Sequence, residues 1–73
     1  MSYTRARSII VRLTRLQNKD NFVLLHNPEN NCKPYIVCHY YHIDKDEWDS
    51  SGEYFSDEEQ AKAYYDEQIK RFA

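Results

Sequence analysis

The chain has 73 residues, a formal net charge of −2, two cysteines and one glycine. A single domain of that length buries only a little over half of the surface its unfolded form exposes, so a disulfide, a metal or a partner subunit would each help to hold it. Cys32 and Cys38 are too few for the disulfide framework of a small secreted domain. No apolar run reaches the core of a signal peptide or the roughly 20 residues of a membrane span, which points to a cytoplasmic protein with reduced thiols and no membrane partner.

Charge is distributed unevenly along the chain. Residues 1–19 hold five cations (Arg5, Arg7, Arg12, Arg15, Lys19) and no acid, while residues 44–73 hold ten acids against four cations. A molecule so divided steers its encounters with charged partners. With no repeat or low-complexity stretch, residues 1–73 read as one domain.

Ser8 to Leu16 is rich in β-branched residues, with Ile9, Val11 and Leu13 alternating on one face, which favours a strand; a helix pairing Ile9, Leu13 and Leu16 is the alternative. A polar turn over residues 17–21 leads to a second strand, Phe22 to His26, and Asn27-Pro28-Glu29-Asn30-Asn31 breaks the pattern. Pro34 opens a third strand running to about Ile43. Its two sides, Tyr35, Val37, His39, Tyr41, Ile43 and Ile36, Cys38, Tyr40, His42, are both largely apolar or amphipathic. Such a strand belongs in the middle of a sheet, with a helix on one side and partner surface or long side chains on the other. Residues 44–47 form the next turn, and Trp48 to Tyr54 returns as a fourth strand with a possible bulge at Gly52.

Ser56-Asp57-Glu58-Glu59 has the spacing of a capping box, with Ser56 at the N-cap. From Asp57 to about Phe72, residues Ala61, Tyr64, Tyr65, Gln68, Ile69 and Phe72 share one side at helical spacing. The pairs Glu58/Lys62, Asp66/Lys70 and Glu67/Arg71 sit at i,i+4 in the favourable orientation. The expected fold is α+β: an antiparallel three- or four-stranded meander with one C-terminal helix packed on a face.

His26, Cys32, Cys38, His39 and His42 are zinc's preferred ligand types, but there is no Cys-x-x-Cys knuckle. On a strand Cys38 and His39 point to opposite faces, and Cys38 and His42 stand about 13 Å apart at ~3.3 Å per residue. No metal or cofactor is expected. A Cys/His nucleophile pair lacks a glycine-rich turn for an oxyanion hole, and so short a chain has little room for a substrate pocket, so a non-enzymatic protein is expected. Asp44-Lys45-Asp46-Glu47-Trp48-Asp49 fails as a calcium loop, because Trp48 stands where an acid is required.

Seven tyrosines, three phenylalanines and one tryptophan supply core volume. Tyr40 and Tyr41, adjacent on a strand, must face opposite sides, so one of them is exposed. Tyrosine is a frequent interface hot spot. A candidate protein-binding surface therefore joins Tyr40 and Tyr41 to Asp44, Asp46, Glu47 and Asp49 of the turn and to Glu59, Asp66 and Glu67 of the helix. The alternative is nucleic-acid binding, with Arg5, Arg7, Arg12 and Arg15 holding phosphates.

Pro34-Tyr35-Ile36-Val37-Cys38, Trp48, and Gly52 through Ala61, taken together, resemble small proteins carried by phages and mobile elements. The strand-meander-plus-helix plan is also similar to some anti-CRISPR proteins. That resemblance implies a small, acidic, non-enzymatic inhibitor that occludes an effector in the host cytoplasm; the acidic turn and helix then point to a basic surface of a nucleic-acid-binding complex as its target, and a homo-oligomer stays open. It carries over no individual residue.

Overall fold

The computed structural model describes residues 7–72. Ile9–Arg15 (β1) and Asn21–His26 (β2) form an antiparallel hairpin. Leu16 and Asp20 close its loop, the Leu16 amide donating to the Asp20 carbonyl at 2.8 Å. Lys19 there adopts a left-handed φ of 72°. Strand, not helix, is thus the conformation of the first apolar segment.

Tyr35–Cys38 (β3) pairs with β2, and the loop between them is organised by asparagines. Asn27 Oδ1 accepts from the Glu29 amide at 3.1 Å, and Asn30 Oδ1 accepts from the amides of Cys32 and Lys33 at 3.0 Å. The expected ten-residue third strand ends early. Tyr40 takes a φ of 56°, unusual for a bulky side chain, and the chain turns out of the sheet there. Tyr41–His42 (β4) and Glu47–Trp48 (β5) then form a separate small hairpin, and Glu53–Phe55 (β6) returns to pair with β3. The expected fourth strand is therefore two strands, and Gly52, at φ 69°, lies between them. The result is an antiparallel four-stranded sheet in the order β1-β2-β3-β6, a two-stranded sheet β4-β5, and one C-terminal helix, Glu58–Phe72 (α1).

Two apolar layers sandwich the sheet. On the helix side Phe22, Leu24 and Val37 meet Ala61 and Tyr65, with Val11, Tyr35, Phe55, Tyr64 and Ile69 around them. The Tyr65 hydroxyl reaches Thr14 Oγ1 and the Phe22 carbonyl, giving the buried phenol the polar partners it needs. On the other side Val23, Leu25, Ile36 and Cys38 meet Tyr41 and Trp48 of the small hairpin. The chain itself covers that face of its central strands.

A bulge in β1 between Ile10 and Arg12 alters the expected alternation. Ile10 lies opposite Leu25 and Leu13 opposite Val23, while Val11 packs in the helix-side core. Ile9, Val11 and Leu13 therefore do not share one face. Tyr40 has the same effect on β3: its left-handed residue reverses parity, so Tyr41 joins Ile36 and Cys38 instead of Tyr35 and Val37.

The helix begins one residue later than the capping-box spacing implies. The Asp57 carbonyl accepts from the Ala61 amide at 3.1 Å, which makes Asp57, not Ser56, the N-cap. Asp57 followed by acidic Glu58 and Glu59 suits the positive end of the helix dipole. Asp57→Ala should lower unfolding free energy by about 0.5–1 kcal/mol in a denaturant titration. Ser56→Ala should stay within about 0.5 kcal/mol of the parent, and a larger loss there would restore Ser56 as the cap.

Candidate functional site

The β4-β5 hairpin is the most elaborately fixed surface feature. Its turn residue Asp46 has a φ of 53° and a side chain directed inward, leaving it 3% exposed. One carboxylate oxygen accepts from the Tyr41 hydroxyl at 2.6 Å, and the other accepts from the Ser8 amide at 2.9 Å. The Arg7 guanidinium donates to the Ile43 carbonyl, so Arg7 holds the hairpin from outside. At the break in the chain, Ser50 Oγ accepts from the His39 amide at 3.0 Å and donates to the His39 carbonyl. Asn21 Nδ2 donates to the Tyr41 carbonyl at 3.0 Å. Backbone groups that lose strand partners at Tyr40 are in this way supplied by side chains.

This environment perturbs two buried groups. Burial, followed by the hydrogen bond and charge of Asp46, pushes the Tyr41 phenol up to about 12. Burial and then the Asp46 charge push the Cys38 thiol up to about 12. Both are held neutral at physiological pH, and Cys38 packs in the core beneath the hairpin.

Two expected binding residues are consequently interior. Tyr41 is 2% exposed and Asp46 lies beneath the turn, because the left-handed residues at 40 and 46 rotate them toward the sheet. Tyr40 is the exposed member of its pair, at 46%. Its ring lies 5.7 Å from that of His39, which in turn meets Phe72 edge-on at 5.0 Å. Tyr40, His39 and Phe72 line a hollow of about 310 Å³ with Leu16, Asn18 and Asp20. That is the lower limit of ordinary ligand pockets.

The acids divide between the two sides of the sheet. Asp44, Glu47 and Asp49 are exposed on or beside the hairpin, whereas Glu59, Asp66 and Glu67 are exposed on the helix, across the sheet from it. A single acidic face combining them does not form. Some acids are also occupied: Asp49 meets His42 Nε2 at 2.8 Å, Glu58 meets Lys62 at 3.1 Å, and Glu67 meets Arg71 at 3.7 Å. Asp66 and Lys70 form no ion pair among the described residues.

Arg5 lies outside the described residues. Arg12 and Arg15 are exposed on β1, on opposite faces, since they lie across from Leu24 and Asn21. With Arg7 bonded to the hairpin, the described arginines of this segment form no compact phosphate cradle. The five candidate zinc ligands are likewise scattered. Cys38 is buried under the hairpin, His39 packs on Phe22, His42 meets Asp49, His26 stacks on Tyr35, and Cys32 is exposed in the β2-β3 loop. Among the described residues no group of three or more His, Cys, Asp or Glu is placed to hold a metal. No helix among them is long and apolar enough to cross a membrane.

Comparison with family models, curated proteins and solved structures finds no match to this chain. The functional reading therefore rests on the surface alone. Sequence reasoning passed over Ser8, Asn21 and Ser50, whose roles depend on distant backbone. It passed over Ile43 too, although a large apolar residue next to a charged turn is a visible signal.

Asp46→Ala would leave the buried Tyr41 hydroxyl and the half-buried Ser8 amide without their acceptor and should cost about 2–3 kcal/mol, against about 0.5 kcal/mol or less for Asp44→Ala, measured by denaturant titration. The raised Tyr41 and Cys38 values give stability that is complete below their ordinary values of 10.0 and 9.0 and is lost as pH climbs toward 12. Tyr41→Phe and Cys38→Ala should flatten that alkaline loss. A thiol reagent should label Cys32 at once and Cys38 only on unfolding, and rapid labelling of both would show that the hairpin does not seal its face.

Proposed function

We propose that the protein is a non-enzymatic binding module that docks on a basic protein surface through the hairpin side of the sheet. The observation that carries the reading is the anchoring of so short a hairpin by a buried carboxylate. Asp46, Tyr41, Ser8 and Arg7 hold the turn in one conformation, and outside it stand Ile43 at 48% exposure, Asp44 next to it in sequence, and Glu47 across the hairpin from His42. Preorganising a surface in this way removes ordering cost from association. An apolar centre with a charged rim is the usual composition of such a contact. Tyr54 is exposed on the same side of the sheet, across from Ile36.

The acids that survive as candidates are Asp44 and Glu47, with Asp49 shared with His42; Glu59, Asp66 and Glu67 face elsewhere. A phage-borne inhibitor occluding a nucleic-acid-binding complex is one case of a module of this kind. Direct nucleic-acid binding through the arginines is less well supported, since Arg7 is engaged within the fold and Arg12 and Arg15 diverge.

Asp44→Lys with Glu47→Lys, leaving Asp46 intact, should slow association with a basic partner and weaken its salt dependence, because charges at a rim act mainly on encounter. Ile43→Ala should instead speed dissociation. Capture from lysate should survive nuclease treatment, and melting curves of both variants should match the parent. Submicromolar, salt-dependent binding of duplex DNA or RNA by the native protein, lost on replacing Arg12 and Arg15, would defeat this reading.

A further inference from the structure

Among the described residues β1 is an edge strand of seven residues, hydrogen-bonded only to β2, with a row of backbone donors and acceptors left open on its outer side. Three of its large apolar side chains stay on the surface: Ile9 at 54%, Ile10 at 41% and Leu13 at 41%. The opposite edge, β6, has only three residues. Short length is one way in which natural sheets avoid pairing with other chains, and β1 lacks it.

Charge then selects what could pair there. Arg12 and Arg15 are exposed on β1 with no ion-pair partner among the described residues, Lys19 follows in the turn, and no acid occurs from Arg7 to Lys19. A second copy pairing β1 with β1 would set these like charges against one another, which is unfavourable directly across a strand pair. An acidic extended segment meets the opposite situation.

We infer that the outer edge of β1 is a docking site for an extended acidic peptide segment that adds a strand to the sheet. Main-chain hydrogen bonds to β1 supply affinity, and the side chains of the added strand supply selection. On the hairpin side of the sheet the added strand meets Ile10 and Leu13 and needs apolar residues. Beside Arg12 on the helix side, and beside Arg15 at the strand's end, it needs acids. The site therefore prefers apolar residues alternating with acids, with one further acid at the end, where the hairpin-side position meets Arg15. This surface is separate from the hairpin tip, and either can fail without the other.

The test uses the whole protein and blocked peptides of alternating Glu and Val, alternating Lys and Val, and Glu and Val N-methylated throughout. The Glu/Val peptide should bind about threefold or more tightly than the Lys/Val peptide at low salt, as expected when one ion pair with Arg12 replaces a like-charge contact, with amide shifts and exchange protection concentrated in residues 8–16. The N-methylated peptide, unable to form a ladder, should not bind. Arg12→Glu with Arg15→Glu should reverse the preference toward the Lys/Val peptide, which simple unfolding could not do. Equal binding of both peptides, binding mapped elsewhere, or no binding at millimolar peptide would overturn the inference. So would concentration-dependent dimerisation of the protein alone with protection of β1, since the edge would then belong to a second copy.

Discussion

The carboxylate of Asp46 governs the arrangement of everything outside the four-stranded sheet. A buried carboxylate is costly unless its oxygens are filled, and here one takes the Tyr41 hydroxyl and the other the Ser8 amide. The Ser8 bond joins segments 38 residues apart in sequence, so the hairpin cannot leave the sheet without breaking it. The burial of Val23, Leu25, Ile36 and Cys38 depends on that hairpin, because Tyr41 and Trp48 cover them. A chain with one helix can cover only one face of a sheet. The polar anchor beneath the turn is what allows the second face to be closed by ten or so residues of irregular backbone.

The same constraint explains the left-handed residues. To return over the sheet, the chain must turn away after Cys38, and the turn falls on Tyr40, whose ring is carried outward while Tyr41 is carried in. Asp46 adopts the left-handed region at the tip, where an aspartate is among the better tolerated residues. Conformational cost at these positions is offset by side-chain bonds from Ser50 and Asn21 to the freed backbone groups.

What the sequence disclosed follows from which signals are local. The helix and its packing side were legible because helical spacing acts within a few residues; only the cap moved, from Ser56 to Asp57. The sheet's order of strands was legible from alternating apolar runs and polar turns. The break at Tyr40 was not, since Tyr35 to Ile43 carries no glycine or proline to announce it, and the partners that stabilise it, Ser50 and Asn21, act through tertiary contact. The acidic surface failed for a related reason. Counting charges places Asp46 with its neighbours, but a single left-handed residue turns its side chain from solvent to core. The parity reversals at Val11 and Tyr40 redirect every side chain that follows in the strand, so small irregularities undo periodicity arguments that hold on either side of them.

The two edges of the sheet show how this small fold divides its surface. β6 is short, and Glu53 and Tyr54 leave it acidic and aromatic at its exposed end. β1 is long, bulged and basic. Bulges and charges are common defences of an edge strand, and on that view Arg12 and Arg15 serve only to keep other strands away. Defence alone, however, does not account for three large apolar side chains left on the same strand, because each one raises the gain from pairing that the charges would have to oppose. Arginine repels only partners of its own sign. An edge that is apolar along its length and basic at intervals excludes copies of itself while remaining open to acidic strands, and the bulge narrows the choice further by setting Ile10 and Leu13 on one side and Val11 and Arg12 on the other. Discrimination of that sort, attraction for one sequence pattern combined with repulsion of another, is how specificity arises in strand pairing.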